Sequence, residues 1–235
     1  MRNSNLTGWD SLSNKTLKKL KNVIAPKITH LFNAINKYKH FPTYFKLSKI
    51  LPLLKHGKNS LLPDSFRPIN NLPVLEKLWE EYVLMFLLPF IIEDEVIHPN
   101  HHGGLKYHSL DTLMTAVQIA QGTNFDNGFI SVIISTDLSV AFDTVDHYLP
   151  CQKLAHYGIR GDFLETVKSY LGHRQQYVAI DGTKSEILDN PPCSTVQGSK
   201  MAGLLYNLYN GEIPELYKII HSNQLSAITK RQFEK

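Results

Sequence analysis

FISVIISTDLSVAFDTVDH, residues 129–147, is a near-continuous apolar and β-branched segment that ends abruptly at an acidic residue, Asp137. Val132, Ile133 and Ile134 read as a strand buried on both faces, because alternation is absent and the run is too short for a helix. A carboxylate at its end would emerge beside a core. Asp143 and Asp146 follow, with Phe142 between them and Asp137, so hard oxygen ligands gather near an aromatic wall. Such a set suits Mg²⁺ and phosphoryl chemistry. A competing reading has Asp143 and Asp146 cap a helix that begins near Val145, and for these two acids capping is the preferred expectation.

Composition bounds what this segment can belong to. With 235 residues, 43% hydrophobic and 20% charged, the chain is long enough for a substantial core in one large domain or two subdomains, and it is not a disordered sequence. Lys and Arg outnumber Asp and Glu by 25 to 21, compatible with a phosphate-bearing partner but too mild to demonstrate one. The polar residues 1–10 show no signal peptide. The longest apolar run, residues 83–92, is interrupted by Pro89 and falls short of the roughly 20 residues that span a bilayer. An intracellular protein, cytoplasmic or nuclear, neither secreted nor membrane-bound, is expected. Cys151 and Cys193 form no spaced framework and are expected to be reduced and structural. Without a secretory signal, the glycosylation-type triplets at Asn5 and Asn14 are chance matches.

Working outward, apolar residues Leu17, Leu20, Ile24, Ile28, Leu31, Phe32 and Ile35 repeat at helical spacing, interrupted by Pro26. Residues 12–37 are therefore predicted as two short helices or one kinked helix. Its lysines, Lys15, Lys18, Lys19, Lys21 and Lys27, could face nucleic acid, but a solvated surface is the better expectation. Strands are predicted at 49–54 and 66–72, separated by a polar loop through residue 65. Helices follow at 74–88 and at 109–121, the second capped by Ser109. Beyond the central segment, helices are expected at 149–157 and 162–171, a hairpin at 176–188 turning on Gly182-Thr183, and a helix at 202–209. An α+β chain with helices packed around a small antiparallel sheet is the simplest architecture.

Two further segments carry chemistry. Lys55 and Arg67 flank the polar loop, as two cations displayed from opposing strand ends of a hairpin; Arg67 would offer a triphosphate a planar fork and Lys55 a point charge. The other is STVQGSKMAG, residues 194–203, where Gln197, Gly198 and Ser199 precede a helix and let backbone and side chain approach a substrate. His98, His101, His102 and His108, or Cys151 with His147, lack a recurring tetrahedral ligand spacing and are read as ordinary surface or loop residues. Trp9 and Trp79 are expected to pack rather than stack on bases.

Taken in order, these segments resemble the reverse transcriptase domain of non-LTR (LINE-type) retrotransposons, over nearly the whole chain. The family's fingers pattern is matched by Gly8 and Asp10, Leu17-Lys18, Leu31-Phe32-Asn33, Phe41-Pro42, Lys46, Pro52, Lys55-His56-Gly57 and FRPINNLPVLEKLWE. Its palm motif DLSKAFDTVDH stands here as DLSVAFDTVDH. KLAHYGIRGDFLETVKSYLGHRQQYVAIDG and, more loosely, STVQGSKMAGLLYNLYNGEIP match the stretches that follow in the family. Many motifs in the right order weigh far more than any one of them.

The resemblance implies a right-hand polymerase fold, with residues 1–125 fingers-like and 126–235 a partial palm in one continuous domain, without a thumb. The implied activity is RNA-directed DNA polymerisation with an RNA template, a DNA primer and deoxynucleotides as partners; oligomeric state is left open. Asp137, with the backbone carbonyl of Leu138, would be the metal-holding catalytic position for Mg²⁺. Phe142 would exclude a ribose 2′-hydroxyl by steric rejection. Lys55 and Arg67 would contact the triphosphate, and Gln197, Gly198 and Ser199 would lie near template, primer and nucleotide.

Departures from the family pattern carry equal weight. The family's second palm signature, an Asp-Asp pair, has no counterpart after Pro214; aligning its flanks onto HSNQLSAIT sets Asn223 and Gln224 at the two aspartate positions. Two closely spaced dications need anionic bridging ligands, which amides do not supply. Val140 replaces the lysine of DLSKAFD, and HHGGL replaces QxGFR. A truncated or degenerate copy is expected, with little or no polymerisation. The alternative is a non-catalytic nucleic-acid-binding remnant or a functionless fragment.

Overall fold

The computed structural model describes residues 7–93, 96–98, 100–135, 145–191, 193, 196 and 198–213. Its elements run α1 (Asn14–Tyr38), β1 (Leu47–Leu54), β2 (Phe66–Asn71), α2 (Val74–Glu93), α3 (Leu110–Asp126), α4 (Tyr148–His156), α5 (Gly161–Leu171), β3 (Gln175–Ile180), β4 (Thr183–Lys184), β5 (Leu188–Asp189) and α6 (Lys200–Asn210). The expected α+β class holds.

The helical core forms around α2. Trp79, Val83, Leu87 and Ile91 lie on one face of that helix at spacings of one, two and three turns, and all are buried against Met201, Leu205 and Leu208 of α6, Leu154 of α4 and Val167 and Tyr170 of α5. Phe32 and Ile35 bring the C-terminal half of α1 into the same cluster. Trp79 packs as expected, between Phe41 and Tyr170. Trp9 meets the ring of Tyr44 edge-on.

Helix α1 is one continuous helix, although Pro26 lies inside it. A proline there removes the bond to the carbonyl of Asn22, and that turn is exposed, so water can satisfy the freed oxygen. The same holds at Pro89, which α2 passes to reach Glu93, beyond the predicted end. Ser109 caps α3 as expected, in a reciprocal capping box with Thr112. Asp146 accepts the backbone N–H of Tyr148 at 2.8 Å in a local turn before α4, whose N-cap, His147, makes no side-chain capping bond; Asp143 lies outside the described residues.

The sheet departs from the antiparallel expectation. Its order is β2-β1-β3-β4, with β5 also on β3; β1–β2, β3–β4 and β3–β5 are antiparallel, but β1 and β3 run parallel. Parallel neighbours need a long crossover, and here it comprises everything from β2 to α5. The hairpin also turns one residue earlier than predicted, on Asp181 (φ 47°) and Gly182 (φ 84°). Two adjacent positive φ values match the right-handed strand twist, and an Asp-Gly pair supplies them at little cost.

A larger departure concerns the apolar run that begins at Phe129. Residues 129–135 form no strand, and Ile130, Val132 and Ile134 are 93%, 81% and 76% exposed. The helix before them, α3, buries none of its residues. β-Branched residues favour strands only where a pleated neighbour exists to pair with, and among the described residues no strand lies beside this run. The expectation of a strand buried on both faces is therefore corrected. Asp137, Leu138 and Phe142 lie outside the described residues, as do Gln197, Asn223 and Gln224.

Cys151 is buried and Cys193 exposed, both as free thiols. Burial pushes the Cys151 thiol up to about 11, so it stays protonated and inert near neutral pH. Among the described residues no helix is long and apolar enough to cross a membrane.

Candidate functional site

The two sequence-predicted cations are set by the β1–β2 register. Leu53 pairs with Arg67 and Leu54 with Phe66, and one residue further the Lys55 N–H donates to the Ser65 carbonyl at 2.8 Å. Strand side chains alternate faces, so Leu53 and Lys55 share a face with Arg67, the cross-strand partner of Leu53. The two cations are thus diagonal neighbours on one side of the hairpin. Lys55 Nζ is steadied by the Asp64 carbonyl at 2.8 Å, while Arg67 is exposed.

The Gly198–Ser199 segment is brought to the same strand. Gly198 has φ +114°, and a Cβ there would sit 2.6 Å from the carbonyl oxygen of Asn70 on β2. Only glycine combines that backbone with that close an approach. The close packing places the segment a few residues along β2 from Arg67. Ser199 then caps α6, its Oγ accepting the N–H of Ala202 at 3.1 Å. Gly198→Ala is expected to cost at least about 2 kcal/mol, from strained φ and backbone overlap together; a urea unfolding series measures it.

Behind the segment lies a set of buried charges that the sequence reading missed. Glu76 and Glu80 are both 0% exposed and Arg174 is 3%. Arg174 Nη2 donates to Glu76 Oε1 at 2.5 Å, and its Nη1 to the Tyr170 carbonyl at 3.2 Å. The Tyr170 hydroxyl donates to Glu80 Oε1 at 2.5 Å and lies 3.1 Å from Ser199 Oγ. Glu80 Oε2 accepts the N–H of Lys200, the first residue of α6, at 2.8 Å. Lys46, also buried, donates to the Gly172 carbonyl at 2.9 Å. Each of these buried groups thus has a hydrogen-bond partner in the core, and Arg174 with Glu76 forms a buried ion pair. Burial pushes the Glu76 carboxyl up to about 8, a rise that the Arg174 guanidinium opposes and the Glu80 charge reinforces. Burial likewise raises the Tyr170 phenol and lowers the Lys46 ammonium.

A signal for these groups was present in the sequence. Glu76 and Glu80 stand a turn apart on the face that continues through Val83, Leu87 and Ile91. Acids on the apolar stripe of a helix call for buried partners.

Among the described residues no group of three or more His, Cys, Asp or Glu is placed to hold a metal ion. His102 Nδ1 is 2.8 Å from the Thr112 hydroxyl, a local contact at the α3 cap.

The β1–β2 hairpin thus carries Lys55 and Arg67 on one face, and the Gly198 loop that leads into α6 packs against β2. The family of reverse transcriptases (RNA-dependent DNA polymerases) matches residues 53–227. The chain is 30% identical over 215 residues, 91% of its length, to a probable RNA-directed DNA polymerase from transposon X-element of Drosophila melanogaster. It is likewise 30% identical over 219 residues, 88% of its length, to the probable enzyme from transposon BS, and 30% identical over 213 residues, again 88%, to that from mobile element jockey, both of Drosophila melanogaster. The chain therefore belongs to the reverse transcriptase family, among the RNA-directed DNA polymerases of non-LTR retrotransposons. It spans only 23%, 23% and 22% of the length of those three relatives.

Proposed function

We propose that this chain is the fingers, residues 1–125, and part of the palm, residues 126–235, of an RNA-directed DNA polymerase, in which the contacts to an incoming deoxynucleoside triphosphate persist and polymerisation is impaired. The β1–β2 register carries this reading. It sets Lys55 and Arg67 side by side on one face, and Gly198 closes against the same strand. A guanidinium fork and an ammonium so placed suit the β- and γ-phosphates, and Gln197, Gly198 and Ser199 would adjoin base and sugar. Phe142 would reject a 2′-hydroxyl, leaving deoxynucleotides favoured over ribonucleotides. An RNA template and a DNA primer would complete the complex.

Impairment rests on the metal ligands. Reverse transcriptases as a family use divalent ions. Here Asp137 and the Leu138 carbonyl would hold Mg²⁺ at the catalytic position, but aligning HSNQLSAIT with the family's flanks would set Asn223 and Gln224 at the facing positions. One carboxylate with two neutral amides does not fit a pair of dications, so no chemical step is assigned through them.

Binding of a fluorescent deoxynucleoside triphosphate in EDTA tests the retained pocket without metal. Two charge-assisted contacts are each worth about 1.5 kcal/mol or more, so Lys55→Ala with Arg67→Ala should weaken binding about a hundredfold. Equal binding by the double variant would refute the assignment. The non-catalytic reading has its own support in α1, whose Lys15, Lys19, Lys21 and Lys27 are exposed along a helix that contains no acidic residue. It expects single-stranded RNA affinity that falls steeply with salt whether or not Lys55 and Arg67 are present.

A further inference from the structure

We propose that Glu80, acting through Tyr170 and the first N–H of α6, is the positioning residue of the Gly198–Ser199 segment and so of the nucleotide pocket beside β2. The functional half of this inference rests on the reading of that pocket given above; the positioning half does not.

Glu80 is aimed away from solvent, on the buried face of α2, and both its oxygens are used. One accepts the Tyr170 hydroxyl at 2.5 Å and the other the Lys200 N–H at 2.8 Å. A carboxylate at that place also meets the positive end of the α6 dipole. The Tyr170 hydroxyl contacts Ser199 Oγ at 3.1 Å as well, and Ser199 Oγ accepts the Ala202 N–H. The loop end is thus held twice by the same carboxylate, directly at residue 200 and through the phenol at residue 199.

Tyr170 cannot easily yield. Its ring stacks on Trp79 with centroids 5.2 Å apart and meets Phe41 edge-on at 5.2 Å, while Arg174 reaches from the following turn to its carbonyl. The cavity between Tyr170, Arg174, Val196 and Ser199 measures about 10 Å³, room for no more than about one water. On its other side the segment is stopped by Asn70, which leaves no space for even a Cβ at Gly198. A loop held between a buried brace and a strand edge keeps one geometry. Such preorganisation is what a phosphate-binding loop needs, because its backbone must not reorganise on binding.

Tyr170→Phe removes only the hydroxyl and keeps the packed ring, so the variant should fold; Glu80→Gln tests the other end. Amide hydrogen exchange is measured peptide by peptide for the full chain, without nucleotide, and triphosphate affinity is measured alongside. The loss of one charge-assisted hydrogen bond corresponds to roughly tenfold. Exchange across residues 198–202 should therefore quicken about tenfold in either variant with α1 and α4 unchanged, and the triphosphate Kd should rise severalfold. Unchanged protection at 198–202, or an equal loss everywhere, would overturn the brace. Loop-specific exchange in a chain whose wild type binds no triphosphate would keep the brace and refute the pocket.

Discussion

Arg174→Met should lose about 3–5 kcal/mol of unfolding free energy at pH 9, where Glu76 is ionised, among the largest effects any single substitution in this chain will produce. The side chain is buried and is the direct cationic partner of Glu76, at 2.5 Å; methionine fills much of its volume but leaves the carboxylate without a counter-charge. The loss should depend on pH in a defined direction. Burial raises the folded-state pKa of Glu76 from 4.5 to about 8, so its contribution to stability is full below the unfolded value and is lost as pH rises through about 8. Removing Arg174 raises that pKa further, since the guanidinium opposes the shift. The deficit of Arg174→Met should therefore be smallest near pH 5 and grow towards pH 9. Glu76→Gln should flatten the wild-type slope across the same interval. Urea unfolding at several pH values measures both, and a deficit that shrinks with rising pH would contradict the assignment.

Trp79→Ala should cost about 3–5 kcal/mol. The indole is fully buried at the centre of the helical core, with Phe41 at 4.7 Å and Tyr170 at 5.2 Å between ring centroids. Its removal takes away large apolar area and leaves a void that the surrounding helices cannot fill without moving. The substitution should also free the Tyr170 ring, so protection at residues 198–202 should fall with it. Leu61→Ala offers a control: that side chain is 85% exposed and its loss should stay within about 0.5 kcal/mol. A comparable loss at both positions would mean the core is not where the packing puts it.

Periodicity made the helices readable. α1, α2, α4, α5 and α6 all bury an apolar face, and their positions followed from spacing with ends shifted by a few residues. The β1–β2 hairpin was legible because Lys55 and Arg67 bracket a polar loop between apolar runs. Parallel pairing of β3 with β1 was not, since local pattern carries no information about partners so distant in the chain. Residues 129–135 show the reverse failure, a composition suited to a strand with no pairing partner among the described residues. At the candidate site, Gly198 was expected to allow close approach of a substrate, and the neighbour it meets is the Asn70 carbonyl of β2. The Glu80–Tyr170–Ser199 brace was only half legible: Glu80 on the apolar stripe of α2 called for a buried partner, but nothing local says that the partner comes from α5 and the cap of α6. The family match covers residues 53–227, the span that holds most of the motifs whose order carried the resemblance.

The most direct measurement of the central claim is primer extension on an RNA template by this chain in Mg²⁺ and in Mn²⁺, beside its Asp137→Asn variant. Retained triphosphate contacts without the Asp-Asp pair predict no incorporation above the variant with either ion. Incorporation by the wild type that Asp137→Asn abolishes would contradict it, and would mean that Asn223 and Gln224 do not stand where the second half of the metal site belongs.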